Sequence, residues 1–371
     1  MLYYSVEERN KQISMIKQEN LERVMGNRAV LISNLGSPDS PDIAPVRRYL
    51  NQFLMEPYVI QLPWLLRRLI VGLFVLPFRP KASAHAYKSI WWKEGSPLIV
   101  LSQRLLEAVK KNTDVPVALA MRYGSPGIET QLLRLAEQDG IEEILLIPLY
   151  PHYADSTVKT SVEEAKDVIA RHKLKVQLKV LAPFYQDPAY IDALVASTAP
   201  WVGDEKGVND AREWDHILFS YHGLPESHLT KADPTGGHCL QTSDCCQTPS
   251  PAHASCYRHQ VLRTTECFVQ KAGLKPEQYS VAFQSRLGKA KWLEPSTVDT
   301  LEKLAQEGVR NLLVMCPAFV TDCLETLEEI ALQGSEIFKQ AGGESLTLIP
   351  CLNDHEQWVS VISRWCDEYQ G

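Results

Sequence analysis

The sequence predicts an α/β protein made of two similar doubly wound, Rossmann-like parallel-sheet domains. Three observations predict it. Short apolar, β-branched runs alternate with helical stretches. The order of those runs repeats along the chain. The polar motifs stand directly after the runs, where doubly wound sheets bind their ligands.

Residues 1–27 are polar and helix-prone, so an N-terminal helical extension is expected there. A first domain over 28–200 opens with the run AVLIS at 29–33, followed by Asn-Leu-Gly-Ser-Pro. Further runs stand at Val115–Ala120, Ile144–Leu149 and Val176–Leu181, with helical stretches such as Gly127–Gln138 and Val162–Arg171 between them. Continuous apolar runs of this length suit strands buried on both faces, and alternation with helices implies parallel crossovers.

A second domain over 201–371 repeats the order. HILFSYHGLP at 216–225 echoes AVLISNLGSP at 29–38, and VAFQSRLG at 281–288 echoes ALAMRYGS at 118–125. LLVMCPAFVTDCLETLEEIA at 312–331 echoes LLIPLYPHYADSTVKTSVEEA at 145–165, and LTLIPCLND at 346–354 echoes LKVLAPFYQD at 178–187. The first pair is spaced more widely than the others, which leaves about twenty extra residues between the first two strands of the second domain. They fall at 233–257.

Composition narrows the function classes. Apolar residues make up 45% and charged residues 22%, a balance that supports a real core and excludes disorder. A net charge of −7 without a basic run argues against nucleic acid, because phosphate binding needs concentrated Lys and Arg. The N-terminus shows no secretion signal, and nine cysteines do not pair evenly. Reduced thiols or a metal site in the cytosol are therefore expected. One segment, LPWLLRRLIVGLFVLP at 62–77, is very apolar but cut by Arg67 and Arg68, so it does not span a membrane. It reads either as a core helix or as an exposed lip, over about 58–80, that meets a membrane or a greasy ligand.

Two motifs carry chemistry. His222 follows the strand run HILFSY, where a neutral imidazole can accept a proton or ligate a metal. The plain alternative is a histidine bonded to nearby backbone. In the run TDCLETLEE, a helix starting near Asp322 would align Asp322, Glu325 and Glu329 on one face as a proton or cation path. The plain alternative is a helix cap. Between the halves, His222 falls where the first has Leu35, and Glu325 where it has Lys159. An acid and a base have thus arisen in one half only.

On the motifs LGSP (35–38), RYGSP (122–126), PLYPHYADST (148–157), SYHGLPESH (220–228), FQSRLGKAKWLEP (283–295) and MCPAFVTDCLETLEEI (315–330), the chain resembles the ferrochelatases. The likeness runs from about Arg28 to Cys366 and is nearest to the proteobacterial branch. It implies the type II chelatase fold and insertion of ferrous iron into protoporphyrin IX, forming protohaem and releasing two protons as the last step of haem synthesis. It implies that His222 takes pyrrole protons or ligates iron, with Glu325 facing it and Asp322 and Glu329 extending the path. It places Leu35, Arg122, Tyr123 and Trp292 around the porphyrin. The lip would sit at the pocket mouth and touch the inner membrane peripherally. Monomers and homodimers both occur in the family. Where some relatives have a histidine beside the acid, this chain has Cys323.

The insertion at 233–257 holds Cys239, Cys245, Cys246 and Cys256 among loop-forming Gly, Pro, Ser and Thr. Four thiolates so placed can wrap a tetrahedral zinc or a two-iron cluster. The resemblance favours a [2Fe-2S] cluster. Zinc stays open because His238, His253 and His259 lie nearby, and free thiols are the third reading. Cys267, Cys316, Cys351 and Cys366 are expected as buried structural thiols. Two other functions compete: a type II chelatase for another tetrapyrrole or metal, and a non-catalytic porphyrin or haem carrier with an iron–sulfur sensor.

Overall fold

A computed structural model describes residues 27–202, 214–286, 288 and 290–369. The helix expected at the N-terminus lies outside these residues, apart from Asn27.

The first half contains β1 (Arg28–Gly36), α1 (Ile43–Leu54), α2 (Trp64–Ile70), α3 (Arg79–Ile90), α4 (Pro97–Lys110), β2 (Val117–Tyr123), α5 (Ile128–Ala136), β3 (Glu143–Pro148), α6 (Thr160–His172), β4 (Gln177–Val180) and α7 (Pro188–Val202). The second contains β5 (His216–His222), α8 (Glu226–Ala232), α9 (Tyr257–Ala272), β6 (Tyr279–Gln284), α10 (Thr297–Gln306), β7 (Asn311–Met315), α11 (Ser335–Gln340), β8 (Ser345–Leu348) and α12 (Glu356–Glu368). Each half forms a four-stranded parallel sheet, in the orders β2-β1-β3-β4 and β6-β5-β7-β8. The expected α/β architecture is therefore present, and the shared strand order is the duplication seen in the sequence.

The strand registers sharpen the repeat by one residue. Val30 pairs with Val117 and Leu145, while its counterpart Ile217 pairs with Tyr279 and Leu313. Leu145 thus corresponds to Leu313, although the sequence echo sets it against Leu312. Likewise Arg122 corresponds to Gln284.

Side chains alternate across each strand, so every central strand serves two cores. Val30, Ile32, Leu145 and Ile147 from one sheet share a core with Ile217, Phe219, Tyr221 and Met315 from the other. Ala29, Leu31 and Leu146 face a separate core under α5 and α6, and Leu218, Val314 and Ala282 face another under α10 and α11. The helices α4, α7, α9 and α12 contribute to the shared core, and α12 packs on α4 and α7. The end of the chain therefore returns to the first half.

The tight turn after β1 explains its glycine. Gly36 has φ +104°, and an added Cβ would sit 1.7 Å from the Tyr123 carbonyl oxygen. Only glycine lets β1 and β2 close here.

The apolar segment is an exposed lip. Helix α2 continues into a π-helical turn at Val71–Val75. Its inner side is small: Val71 joins Val46, Leu50, Leu54, Ala84 and Tyr87. Arg67 is buried and donates to the carbonyls of Ile60 (3.2 Å) and Leu62 (2.9 Å), which explains how a charged residue interrupts the run. The outer side leaves Trp64, Leu65, Leu73, Phe74 and Phe78 more than half exposed, Phe78 at 74%. The alternative of a core helix does not hold. No helix among the described residues is long and apolar enough to cross a membrane.

Candidate active site

His222 is the last residue of β5, half-buried at the carboxyl edge of the second sheet. Its Nδ1 lies 2.6 Å from the Gly223 carbonyl oxygen. A carbonyl can only accept, so Nδ1 carries the proton and Nε2 keeps the lone pair. The backbone bond foreseen as the plain alternative is thus present, and it prepares the other nitrogen for chemistry. The ring meets Phe319 at a centroid distance of 6.3 Å. The His222 carbonyl accepts a 2.8 Å bond from the Tyr257 hydroxyl at the start of α9.

The acid segment differs from expectation. Asp322 lies in the loop before the helix, and the winding from Glu325 to Gly334 is π-helical. The three acids therefore do not line one α-helical face, because i→i+5 bonding abolishes the 3.6-residue period. Asp322 is buried and its two oxygens are occupied. Asn353 Nδ2 donates to one at 2.7 Å, Thr326 Oγ1 to the other at 2.9 Å, and the Cys351 N–H approaches both at 3.3 and 3.4 Å. None of these donors is a backbone N–H of the helix itself, so Asp322 is a tied-down buried acid and not a helix cap.

Glu325 and Glu329 are half-buried and tied to the His222 strand by a residue that motif reading passed over. Gln284 pairs with His222 in the β5–β6 register. Its Nε2 donates to the Glu325 carbonyl at 2.8 Å and reaches Glu329 Oε2 at 3.4 Å. Its Oε1 accepts from Ser220 Oγ at 2.8 Å. Glu329 also accepts the Ser285 N–H at 2.8 Å and the Ser285 hydroxyl. Ser285 has φ +66°, a left-handed backbone that these bonds hold in place. No ion pair engages Glu325 or Glu329 among the described residues.

Tyr49 and Tyr87 contact edge-to-face at 6.4 Å, and burial raises both hydroxyls above their ordinary range. Glu325 and Cys323 add to the rise at Tyr87, whose helix α3 packs against the segment Glu325–Gly334. Burial also raises the Cys323 thiol, with Glu325 adding to the rise. Leu35 is half-buried at the end of β1, and its neighbour Asn34 bonds Thr321 across the halves at 3.4 Å. Trp292 is half-buried, and a Cβ added at Gly223 would come within 3.3 Å of it. Tyr123 is buried, with Phe53 edge-to-face at 5.2 Å. Arg122 is engaged inside the protein: its guanidinium pairs with Glu56, approaches Glu164 at 3.7 Å, and bonds the Thr160 hydroxyl at 2.8 Å and carbonyl at 3.1 Å.

These contacts correct one alignment. Arg122 bonds the Thr160 carbonyl and approaches Glu164, as its counterpart Gln284 bonds the Glu325 carbonyl and approaches Glu329. Buried Ser161 and Ala165 likewise match buried Thr326 and Ile330. Glu325 thus stands where the first half has Thr160, not Lys159.

The four cysteines of the insertion are buried and free of disulfides. Cys239 and Cys246 neighbour the Cys256 sulfur. The neighbouring Cys246 thiol is the main reason that the Cys256 pKa is held down to about 6. Arg258 reaches Cys245 Sγ at 3.9 Å. Asp233 organises the loop by accepting the N–H groups of Thr235, His238 and Cys239 at 2.7–2.9 Å. The histidines point elsewhere: His238 and His253 bond the Cys245 carbonyl, and His259 the Cys246 carbonyl. Among the described residues no set of three or more His, Cys, Asp or Glu side chains is arranged to hold a metal ion. Cys316 and Cys366 are buried as expected, whereas Cys267 and Cys351 are half-buried.

Known proteins resemble this chain over nearly its whole length. The family model for ferrochelatase matches residues 27–369. A ferrochelatase of Ectopseudomonas mendocina is 58% identical over 345 residues, covering 92% of this chain and 98% of its own. One from Azotobacter vinelandii is 56% identical over 344 residues, covering 92% and 99%. Among solved structures, SirB from Bacillus subtilis with Fe3+ aligns at a TM-score of 0.51 and 13% identity, over 92% of this chain and 96% of SirB, a likeness of fold.

Proposed function

The chain belongs to the ferrochelatase family and inserts ferrous iron into protoporphyrin IX, and we propose that His222 and Glu325 carry out that step from opposite sides of the ring. The observation that carries the assignment is the Gln284 bridge, which fixes the Glu325 backbone to the strand neighbour of His222. Insertion must remove two pyrrole protons and strip water from a hard cation. The Nε2 lone pair of His222 suits the first task, and the carboxylates of Glu325 and Glu329 suit the second or pass protons outward. Asp322 is a positioning group in this reading, because its oxygens are already occupied. Leu35, Trp292 and the Arg122–Tyr123 pair frame the ring, the last two from behind the pocket surface. Binding energy spent on bending the ring would expose its nitrogen lone pairs.

The insertion is suited to a [2Fe-2S] cluster in preference to a mixed Cys/His zinc site. Four thiols are buried together, with Cys239 and Cys246 against Cys256, while each neighbouring histidine directs a ring nitrogen to a backbone carbonyl. A cluster there would be held by Cys239, Cys245, Cys246 and Cys256 and would brace α9, whose Tyr257 holds the His222 carbonyl. The exposed lip suits peripheral seating on a membrane, from which a greasy porphyrin could enter.

One anaerobic experiment tests the reading. Protein, ferrous iron and protoporphyrin are mixed, and the porphyrin spectrum is followed. Turnover to protohaem is expected, with His222→Ala binding porphyrin but turning over at least a thousandfold more slowly. A spectral shift without turnover in the parent protein would mark a carrier, preference for another ring or metal would mark a different chelatase, and turnover retained in His222→Ala would remove that residue from the mechanism. The visible spectrum of the protein before mixing reports the cluster, and a colourless protein without iron would exclude it.

A further inference from the structure

The duplication contains an internal control for the acid pair. In the first half, Arg122 bonds the Thr160 carbonyl and places a fixed positive charge beside Glu164 and Glu56. In the second half the corresponding residue is Gln284, which makes the same carbonyl bond, to Glu325, and the same approach to the following acid, Glu329. Gln284 is buried at 2% exposure, and both ends of its amide are satisfied, by Ser220 on one side and by Glu325 and Glu329 on the other. The two sites share geometry and differ in charge. The first is neutralised from within, whereas the second keeps its carboxylates without a cationic partner among the described residues.

We propose that Gln284 is a positioning residue that fixes Glu325 while withholding the internal cation that neutralises the same place in the other half. The negative charge of Glu325 and Glu329 is thereby left for the incoming ferrous ion. The proposal rests on the reading that Glu325 faces the porphyrin. A charge a few ångströms from a carboxylate in a partly buried site acts strongly, so a cation at position 284 would compete directly with the metal.

Two variants separate charge from geometry. Gln284→Lys introduces the cation, while Gln284→Met has a similar length and no charge. Steady-state insertion is measured against ferrous iron and against porphyrin, with porphyrin fluorescence quenching as the check on folding. The expected result is a rise of at least tenfold in KM for iron with Gln284→Lys, with KM for porphyrin within twofold of the parent. Gln284→Met should lower kcat by loosening Glu325 and leave KM for iron within threefold. An equal rise in KM for iron in both variants, or no rise in either, overturns the proposal. If Gln284→Lys fails to quench porphyrin, Gln284→Glu takes its place. An added negative charge should leave KM for iron at or below the parent's, and a tenfold rise overturns the proposal. Glu325→Gln is the separate control: full turnover in that variant defeats the underlying site reading whatever position 284 does.

Discussion

His222 and Glu325 stand out because each breaks an internal repeat. Gln284 and Tyr257 give no such signal, since a glutamine in a strand and a tyrosine opening a helix are ordinary in any sequence. Asp322 reads as an acid near a helix start, and only the fold shows both its oxygens taken by Asn353, Thr326 and Cys351. His152 is a similar case. It is buried, its ring lies edge-on to Tyr221 and Tyr257, and its Nε2 lies 2.9 Å from Thr264 Oγ1. Its Nδ1 has no hydrogen-bond partner among the described residues. Burial lowers its pKa to about 3, whereas the unfolded chain titrates near 6.5. Between these values the unfolded state binds a proton that the folded state refuses. Stability is therefore complete above about pH 6.5 and falls as pH drops towards 3. By pH 4.5 the loss from this residue should be about 2–3 kcal/mol. His152→Gln keeps a partner for Thr264 and removes the titration, so its urea midpoint should fall less than the parent's between pH 7 and 4.5. Parallel curves would show that His152 is not protonated on unfolding in this range.

At the scale of elements, strands were easier to read than helices. Apolar runs at 29–33, 144–149 and 216–221 became β1, β3 and β5 because buried parallel strands leave little room for polar residues. The acid helix was misjudged because an i, i+3, i+7 pattern presumes α winding, and nothing in the residues from Glu325 to Gly334 announces a π-helix. The lip was ambiguous for another reason. Hydropathy says that a segment avoids water and not what covers it. Among the described residues Trp64, Leu65, Phe74 and Phe78 stay more than half exposed. An apolar face of this kind flanked by Arg68 and Arg79 suits the headgroup region of a bilayer. The triple change Trp64→Ser, Phe74→Ser, Phe78→Ser should weaken co-sedimentation with anionic phospholipid vesicles at least tenfold, since each aromatic contributes on the order of 1–2 kcal/mol of transfer free energy. With porphyrin supplied in detergent, kcat should stay within twofold. Equal sedimentation of parent and variant would mean that the lip does not seat on lipid.

At the scale of the whole molecule, the repeat revealed two sheets but not how they are joined. A strand's alternation tells which residues are buried and is silent on what they are buried against. The packing answers this: inward residues of both sheets meet in one shared core, and α12 at the end of the chain closes over α4 and α7. Trp358 on α12 is fully buried there, with Phe184 and Tyr190 of the first half at 5.6 and 5.8 Å and Trp365 at 5.5 Å. Two domains with independent cores would unfold separately, whereas halves that share a core lose it together. Calorimetry should therefore give one transition for both sheets, despite a duplication that suggests two. Trp358→Ala should lower stability by about 3–5 kcal/mol, the usual range for truncating a buried tryptophan, and should move that one transition down without splitting it. Two resolved transitions, with only the later half of the chain exchanging amide protons in the first, would show that the shared core does not couple the halves. The coupling bears on function as well. In the proposed site His222 belongs to the second half and Leu35, Tyr49 and Tyr87 to the first, so loosening the joint core should change the gap proposed to hold the porphyrin. Trp358→Ala should accordingly weaken porphyrin binding at temperatures well below its unfolding, although Trp358 lies in the shared core and outside the catalytic set.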